Sequence, residues 1–408
     1  MLPSPSIYLA ASVAWLILGA TIWSRTNSFG STLASSVQST WGSPQQQHPP
    51  VIQRRETRTR EITVTEGGHT KSVPEEISSD VTRPLESSRI AVDFDLAHRQ
   101  KGLLWYSTYG TSFRGAYTFR NELDRETPYT IALPYPAASG VYDNVQFLLD
   151  GRPLAVTSSG GRAVAEARVA PSTTARLEIS YRSRGLTRWT YAFATGIAEV
   201  RDFELVMRTN FTQVDFPDNS LSPTSIRNIS RGRELTWKYA NLVSGYPIAL
   251  QMPDKLQPGP LAGRISYFGP VSLFFYFFFL LLVTTIRRIP LHPMNYFFLA
   301  AAFFAFHLLL AYLVDHISIH WAFALSTLVS VGLIASYLRL VTGARFAFRE
   351  AASAQILYLI LFSYAFFFEG YTGLTVTIGA IATLFAAMQL TASLHWEDYF
   401  TKPPEAAQ

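Results

Sequence analysis

Six apolar stretches constrain this chain more than anything else in it. They fall at residues 7–23, 267–286, 296–314, 317–338, 351–368 and 374–394. A helix rising 1.5 Å per residue needs roughly 20 residues to cross a bilayer core of about 30 Å, and each stretch is near that length. Hydrocarbon offers no partner to a free N–H or C=O, so a spanning segment of this kind must close its backbone hydrogen bonds internally, as a helix. The second stretch (FFYFFFLLL) and the third (NYFFLAAAFFAFHLLLAYLV) are the plainest. The fifth carries Ser353, Gln355 and Ser363, which leaves a re-entrant segment as its alternative.

Charge is divided to match. Of the 34 Lys and Arg, 28 lie between Arg25 and Arg264, and 6 are spread over the 144 residues beyond. Water is therefore expected around residues 24–264 and lipid around most of the rest. Overall, 15% of residues are charged, well under the ~25% usual in a soluble chain. The net charge of +5 does not point to nucleic acid, because the basic block also holds 23 Asp and Glu. Cysteine is absent, which excludes disulfides, Cys-ligated metal and Cys nucleophiles.

Loop charges set the expected orientation, since Lys and Arg near span ends stay in the cytoplasm. Arg287 and Arg288 follow the second span, and Arg339, Arg345 and Arg349 follow the fourth; the alternate loops carry Asp315 and Glu369 and no Lys or Arg. Both termini are then cytoplasmic and residues 24–264 extracytoplasmic. The first span departs from the rule, with no positive residue before it and Arg25 just after it. Its 17 apolar residues exceed the usual 7–15 of a signal-peptide core and lack a basic leader, so an uncleaved anchor (1–23) is expected over a cleaved signal.

Residues 24–88 are polar and punctuated, as in STWGSPQQQHPP, and are expected to be a flexible tether. Arg54, Arg55, Arg58 and Arg60 could meet anionic envelope material, although Glu56 and Glu61 interrupt them. From 89 to 264 the hydrophobic period becomes two. Ile90, Val92 and Phe94 alternate with polar neighbours, as do Leu177, Ile179 and Tyr181, and Phe203, Leu205 and Met207. Asp150-Gly151 is a hairpin signal, and the repeated short strands suggest an all-β, sandwich-like domain. Its aromatic residues, among them Trp105, Trp189, Tyr191 and Trp237, are expected mainly in the core. Asn210 and Asn228 begin glycosylation-type triplets.

No nucleophile elbow, H-E-x-x-H, phosphate loop or dinucleotide fingerprint occurs. Gly110-Thr-Ser-Phe-Arg-Gly115 has the wrong spacing and is expected in a strand connection. His48, His69 and His98 are the soluble block's three histidines. No catalysis, cofactor or metal is expected. The membrane half offers one polar constellation: Asp315, His316 and His320 between the third and fourth spans, with Glu369 on another outer loop. The two histidines would share a helical face if the fourth span began early. His307, inside the third span, is an intramembrane ionisable residue and so a functional candidate by position, with interhelical packing as the competing reading.

The run from His292, Pro293 and Tyr296 through Asp315, His316 and Ile317 to Leu333, Ile334, Tyr337 and Leu338 resembles the CreD-type inner-membrane proteins of Gram-negative bacteria. That family's Glu-Asp-Tyr turn stands here as Glu369-Gly370-Tyr371. The likeness covers roughly the last 140 residues. It implies a bacterial multi-pass inner-membrane protein associated with envelope integrity and induced through a two-component system, and it brings no catalytic residue with it. The expected plan is an anchor (1–23), a tether (24–88), a β domain (89–264), five transmembrane helices (265–396) and a cytoplasmic tail (397–408). Its expected work is envelope maintenance or stress response through the β domain, with the bilayer and an envelope protein or the cell wall as partners. An ion-coupled transporter or channel built from the helices is the alternative; a sensor acting through a separate cytoplasmic protein is a third reading.

Overall fold

A computed structural model describes residues 5–66, 69–102, 104–194, 196–368 and 370–392. The chain divides into two compact units. One is helical (Met1–Leu33, Gly102–Leu104, Leu256–Gln408) and the other is β-rich (Ala34–Lys101, Trp105–Lys255).

Along the chain, helix α1 (Pro5–Trp41) is followed by strands β1 (Gln45–Gln47), β2 (Val51–Glu66), β3 (His69–Arg83), β4 (Ser87–Lys101), β5 (Leu104–Arg120) and β6 (Thr127–Pro134). Next come β7 (Tyr142–Leu149), β8 (Arg152–Pro153), β9 (Val156–Ser159), β10 (Arg162–Val169), β11 (Thr174–Leu186) and β12 (Arg188–Tyr191). The last strands are β13 (Ala198–Thr209), β14 (Ser225–Ile229), β15 (Gly232–Ser244) and β16 (Ile248–Gln251). They form an eight-stranded sheet in the order β14-β15-β13-β4-β5-β11-β7-β8, a five-stranded sheet β3-β2-β6-β10-β9 and a three-stranded sheet β1-β12-β16. Most pairs are antiparallel, with β4–β13 and β1–β12 parallel.

The period-two segments bury one face as the sequence implies: Ile90, Val92, Phe94, Leu177, Ile179, Tyr181, Phe203, Leu205 and Met207 all lie in one core. Rings from different sheets meet there, Phe119 of β5 on Tyr129 of β6 at 5.5 Å and Phe94 of β4 on Trp189 of β12 at 5.6 Å. At the β7–β8 turn, Asp150 and Gly151 both take positive φ (49° and 78°), the geometry of a two-residue turn that matches strand twist. The Gly110–Gly115 run lies within β5 and not in a connection.

Residues 24–88 depart from the expected tether. The N-terminal helix continues to Trp41, and β2 and β3 pair from Ile52↔Arg83 to Glu66↔His69. Polar composition argues only that side chains cannot fill a core. A hairpin satisfies its backbone by pairing with itself, and this one joins the five-stranded sheet through Val51, Ile52 and Gln53 on β6, with Ile52 wholly buried. Arg55, Arg58, Arg60, Glu76 and Asp80 of the ribbon are exposed, and Pro74 sits on β3, an edge strand, where its missing N–H is harmless.

The helical unit adds α2 (Pro258–Ile286), α3 (Pro293–Leu313), α4 (Ile319–Thr342), α5 (Ala344–Phe367) and α6 (Thr372–Thr391). With Ile7–Thr26 of α1, six helices among the described residues are long and apolar enough to cross a membrane. Start signals are local: Pro258 opens α2, and His292 caps α3 by accepting from the Met294 N–H (3.2 Å) with Pro293 following. Gly343, at φ 96°, ends α4. The fifth span is continuous but not uniform, containing π-helical turns at Ala347–Ala351 and Ile356–Leu361.

The expected N-terminal anchor packs within this unit. Trp15 is fully buried. A Cβ on Gly263 would sit 3.4 Å from Ile22, one on Gly19 would touch Tyr267 at 2.9 Å, and one on Gly269 would fall on the Trp15 ring. The Tyr8 hydroxyl donates to the Pro270 carbonyl (3.1 Å). These contacts run in opposite chain directions, so α1 and α2 are antiparallel and approach closely across small residues, the packing that lipid favours when apolar burial supplies no drive.

Candidate functional site

Charge gathers at the two ends of the helical unit. At one end Arg25, at the end of the apolar part of α1, donates to Asp315 after α3 at 2.6 Å, and its guanidinium lies 5.7 Å from the Tyr312 ring. At the other, Arg287 after α2 meets Glu350 of α5 at 2.8 Å, and Tyr337 of α4 donates to Asn295 of α3 at 2.8 Å. Arg25 is the partner of Asp315 that loop counting passes over, since a charge rule weighs each residue alone.

Of the outer constellation, the structure describes Asp315, His316 and His320, and it does not bring the two histidines onto one helical face. Helix α4 begins at Ile319, so His316 lies in the preceding turn and does not share a helical face with His320. His316 is exposed, and His320 lies over Phe367 at 5.4 Å. Glu369 lies outside the described residues. Among the described residues no group of three His, Asp or Glu is placed to hold a metal ion. Of the other motif positions, Tyr296 is buried against Phe277 (5.3 Å), Ile334 and Leu338 are buried, and Tyr371 is exposed just before α6. The buried members, Tyr296, Ile334 and Leu338, hold the α3–α4 hairpin in the helical core.

His307 is fully buried within three rings: Phe306 at 5.0 Å, Trp15 at 5.6 Å and Phe303 at 6.2 Å. Its Nδ1 is 3.3 Å from the Phe303 carbonyl. A carbonyl only accepts, so Nδ1 carries the hydrogen and Nε2 presents a lone pair. That atom has no hydrogen-bond partner among the described residues.

A second buried polar set sits at the middle of α4 and α5. Gln355, between the two π-helical turns, donates through Nε2 to Ser330 Oγ at 2.8 Å, and Ser330 donates to the Ala302 carbonyl of α3 at 2.8 Å. Gln355 Oε1 has no partner among the described residues. A Gln in an apolar span is itself a sequence signal; its partners are not, because serines occur throughout these helices.

In the β unit, the solvent face of the eight-stranded sheet forms a groove of about 410 Å³ lined in part by Arg89, Arg114 and Arg176. Each arginine is paired on that face: Arg89 to Asp202 (2.6 Å) and Arg114 to Asp93 (2.7 Å) across neighbouring strands, and Arg176 to Glu178 (3.0 Å) along β11. Trp189, Tyr191 and Trp237 are core residues, and Asn210 is bonded to Asp95 (2.7 Å) and the Leu96 N–H (2.9 Å). His98 bonds the Pro253 carbonyl at 3.0 Å, a tie between segments of one unit. Burial raises the hydroxyl pKa of Tyr109, Tyr117, Tyr181 and Tyr191, and pushes Tyr142 up to about 12.

Residues 248–397 of this membrane protein match the family described as inner membrane protein CreD. No curated protein matches the chain. Among solved structures, a protein from Legionella pneumophila described as nutrient binding is 11% identical, covering 47% of this chain and 70% of that one, with a TM-score of 0.34. An M1 zinc metallopeptidase from Deinococcus radiodurans is 9% identical, covering 79% of this chain and 95% of that one, with a TM-score of 0.24. Likeness of that size carries no weight for the chemistry of this chain.

Proposed function

We propose that this protein maintains the cell envelope from the inner membrane, without catalysis, through its β unit outside the cytoplasm and a partner that is an envelope protein or the cell wall. The observation that carries the topology is the sorting of charge between the two ends of the helical unit. Five arginines (Arg287, Arg288, Arg339, Arg345, Arg349) belong to the end marked by the Arg287–Glu350 pair. The opposite end has Arg25, paired with Asp315, and Arg264. Retention of positive charge makes the five-arginine end cytoplasmic. The start of α2 and the Ile22 region of α1 are together at the other end, which supports an extracytoplasmic place for residues 34–255.

The absence of cysteine makes the test direct. Single Asp218→Cys and Arg345→Cys variants are treated in intact spheroplasts with a membrane-impermeant maleimide. Labelling of Asp218→Cys alone is expected; the reverse pattern overturns the orientation. For the role itself, replacing residues 42–255 by a flexible linker should give the detergent sensitivity of a complete deletion. A normal envelope in that strain would remove the β unit from the function.

A further inference from the structure

Around Phe303 the helical unit gathers polar atoms that do not satisfy one another. His307 Nε2, the Trp15 indole N–H and the Tyr276 hydroxyl are all buried and without a hydrogen-bond partner among the described residues. They come from α3, α1 and α2, and their rings lie 6.2, 6.3 and 5.4 Å from Phe303. Trp15 meets α2 at Gly269, and the hydroxyls of Ser266 and Ser272, one turn to either side, are likewise buried and without a partner among the described residues. Pro270 adds to the set: lacking an N–H, it leaves the Ser266 carbonyl without its i+4 helical donor.

In lipid such atoms are expensive, and proline in a spanning helix is tolerated where neighbouring groups or ordered water satisfy the freed backbone. The inventory is mixed. Trp15 can only donate, His307 Nε2 in this tautomer can only accept, and the hydroxyls do both. None of them bonds another among the described residues. A water molecule, with two donors and two acceptors, is the smallest ligand that matches the set, and a buried water commonly makes about three bonds to groups of this kind.

We propose that the core of the helical unit binds water at a site formed by Trp15, Tyr276 and His307, where the water donates to His307 Nε2 and accepts from the indole or the phenol. The helix seam is then a hydrated polar site within the membrane span, and His307 is a water ligand, not a packing residue. This holds whatever partner the β unit engages.

The test uses full-length protein labelled with ¹⁵N-histidine in lipid bilayers and magic-angle-spinning NMR. The His307 signals are assigned by their loss in His307→Phe and, separately, in His307→Gln. Magnetisation transfer from water to Nε2, with the nitrogen displaced from the position of a bare imine, is the expected result. A bare imine without water transfer overturns the proposal. Thermal unfolding gives a reading independent of assignment. If the site is hydrated, His307→Phe strands the indole and phenol and lowers the unfolding midpoint by a few degrees; if it is dry, removing an unsatisfied polar atom raises the midpoint and the proposal fails.

Discussion

The close approach of α1 to α2 yields a quantitative prediction. An added methyl at Gly269 falls on the Trp15 indole, well inside van der Waals contact, and Trp15 is fully enclosed, so its ring cannot swing clear without displacing Phe303 and Phe304. Overpacking of this kind costs about 1–3 kcal/mol. Removing the ring in Trp15→Ala leaves a cavity. A buried Trp truncation costs ~3–5 kcal/mol in a soluble core, and about 2–4 kcal/mol is expected here because the unfolded helices remain in hydrocarbon and the transfer contribution shrinks. The two changes relieve each other, since the new methyl occupies space that the indole vacates. The double variant should therefore cost less than the sum of the singles by about 1–3 kcal/mol, the range for residues in direct contact. Reversible unfolding of the full chain in mixed lipid–detergent micelles, followed by helical circular dichroism as SDS rises, measures all four corners of the cycle. Additivity within about 0.5 kcal/mol would refute the packing of α1 into the unit and return it to a separate anchor.

Gly332, in the interior of α4, is the counterpart, because a methyl added there would find no atom within 4 Å: Gly332→Ala should stabilise the same unit by about 0.5–1 kcal/mol in that assay. Gly232→Ala should destabilise the β unit by about 2 kcal/mol or more, read from near-ultraviolet circular dichroism on heating, because φ is 117° and the methyl would meet the Thr209 carbonyl. Asp315→Asn should cost about 1 kcal/mol or less, given that Arg25 is a third exposed, and the swap Arg25→Asp with Asp315→Arg should recover part of it; equal stability of the single and swapped variants would deny the pair a role. At high pH the buried tyrosines act together. Their folded-state pKa values are raised, with Tyr142 at about 12, while unfolded tyrosines titrate near 10, so their stabilisation is complete below about pH 10 and lost as pH rises through the folded values. Tyrosinate absorbance from these rings should appear together with loss of near-ultraviolet dichroism; independent titration in the folded protein would contradict their burial.

The elements legible in the sequence were those with a strong local signal. Six apolar runs marked six helices, and alternation at Ile90, Val92 and Phe94 marked a strand because the period of two is imposed by a single buried face. The Asp150-Gly151 turn was legible for a backbone reason, both residues tolerating positive φ. The β2–β3 ribbon was not, because its stability rests on backbone pairing between polar residues and on a short attachment at Val51–Gln53, neither of which composition registers.

Helix membership and site assembly were hidden for a different reason. In a uniformly apolar helix no periodicity separates the face that packs on protein from the face that meets lipid, so nothing in the sequence distinguishes Trp15, enclosed by α2 and α3, from Trp23, exposed two turns later. Arg25 shows the same limit in charge. Counted singly it contradicts the orientation that every later loop supports; paired with Asp315 across 290 residues of sequence, it brings a compensating negative charge to the end where it stands. The anomaly in the first span and the acidic residue after the third are then one interaction. It belongs to a helix that packs inside the unit, which is why the residue violating the loop pattern lies on α1 and its partner just after α3.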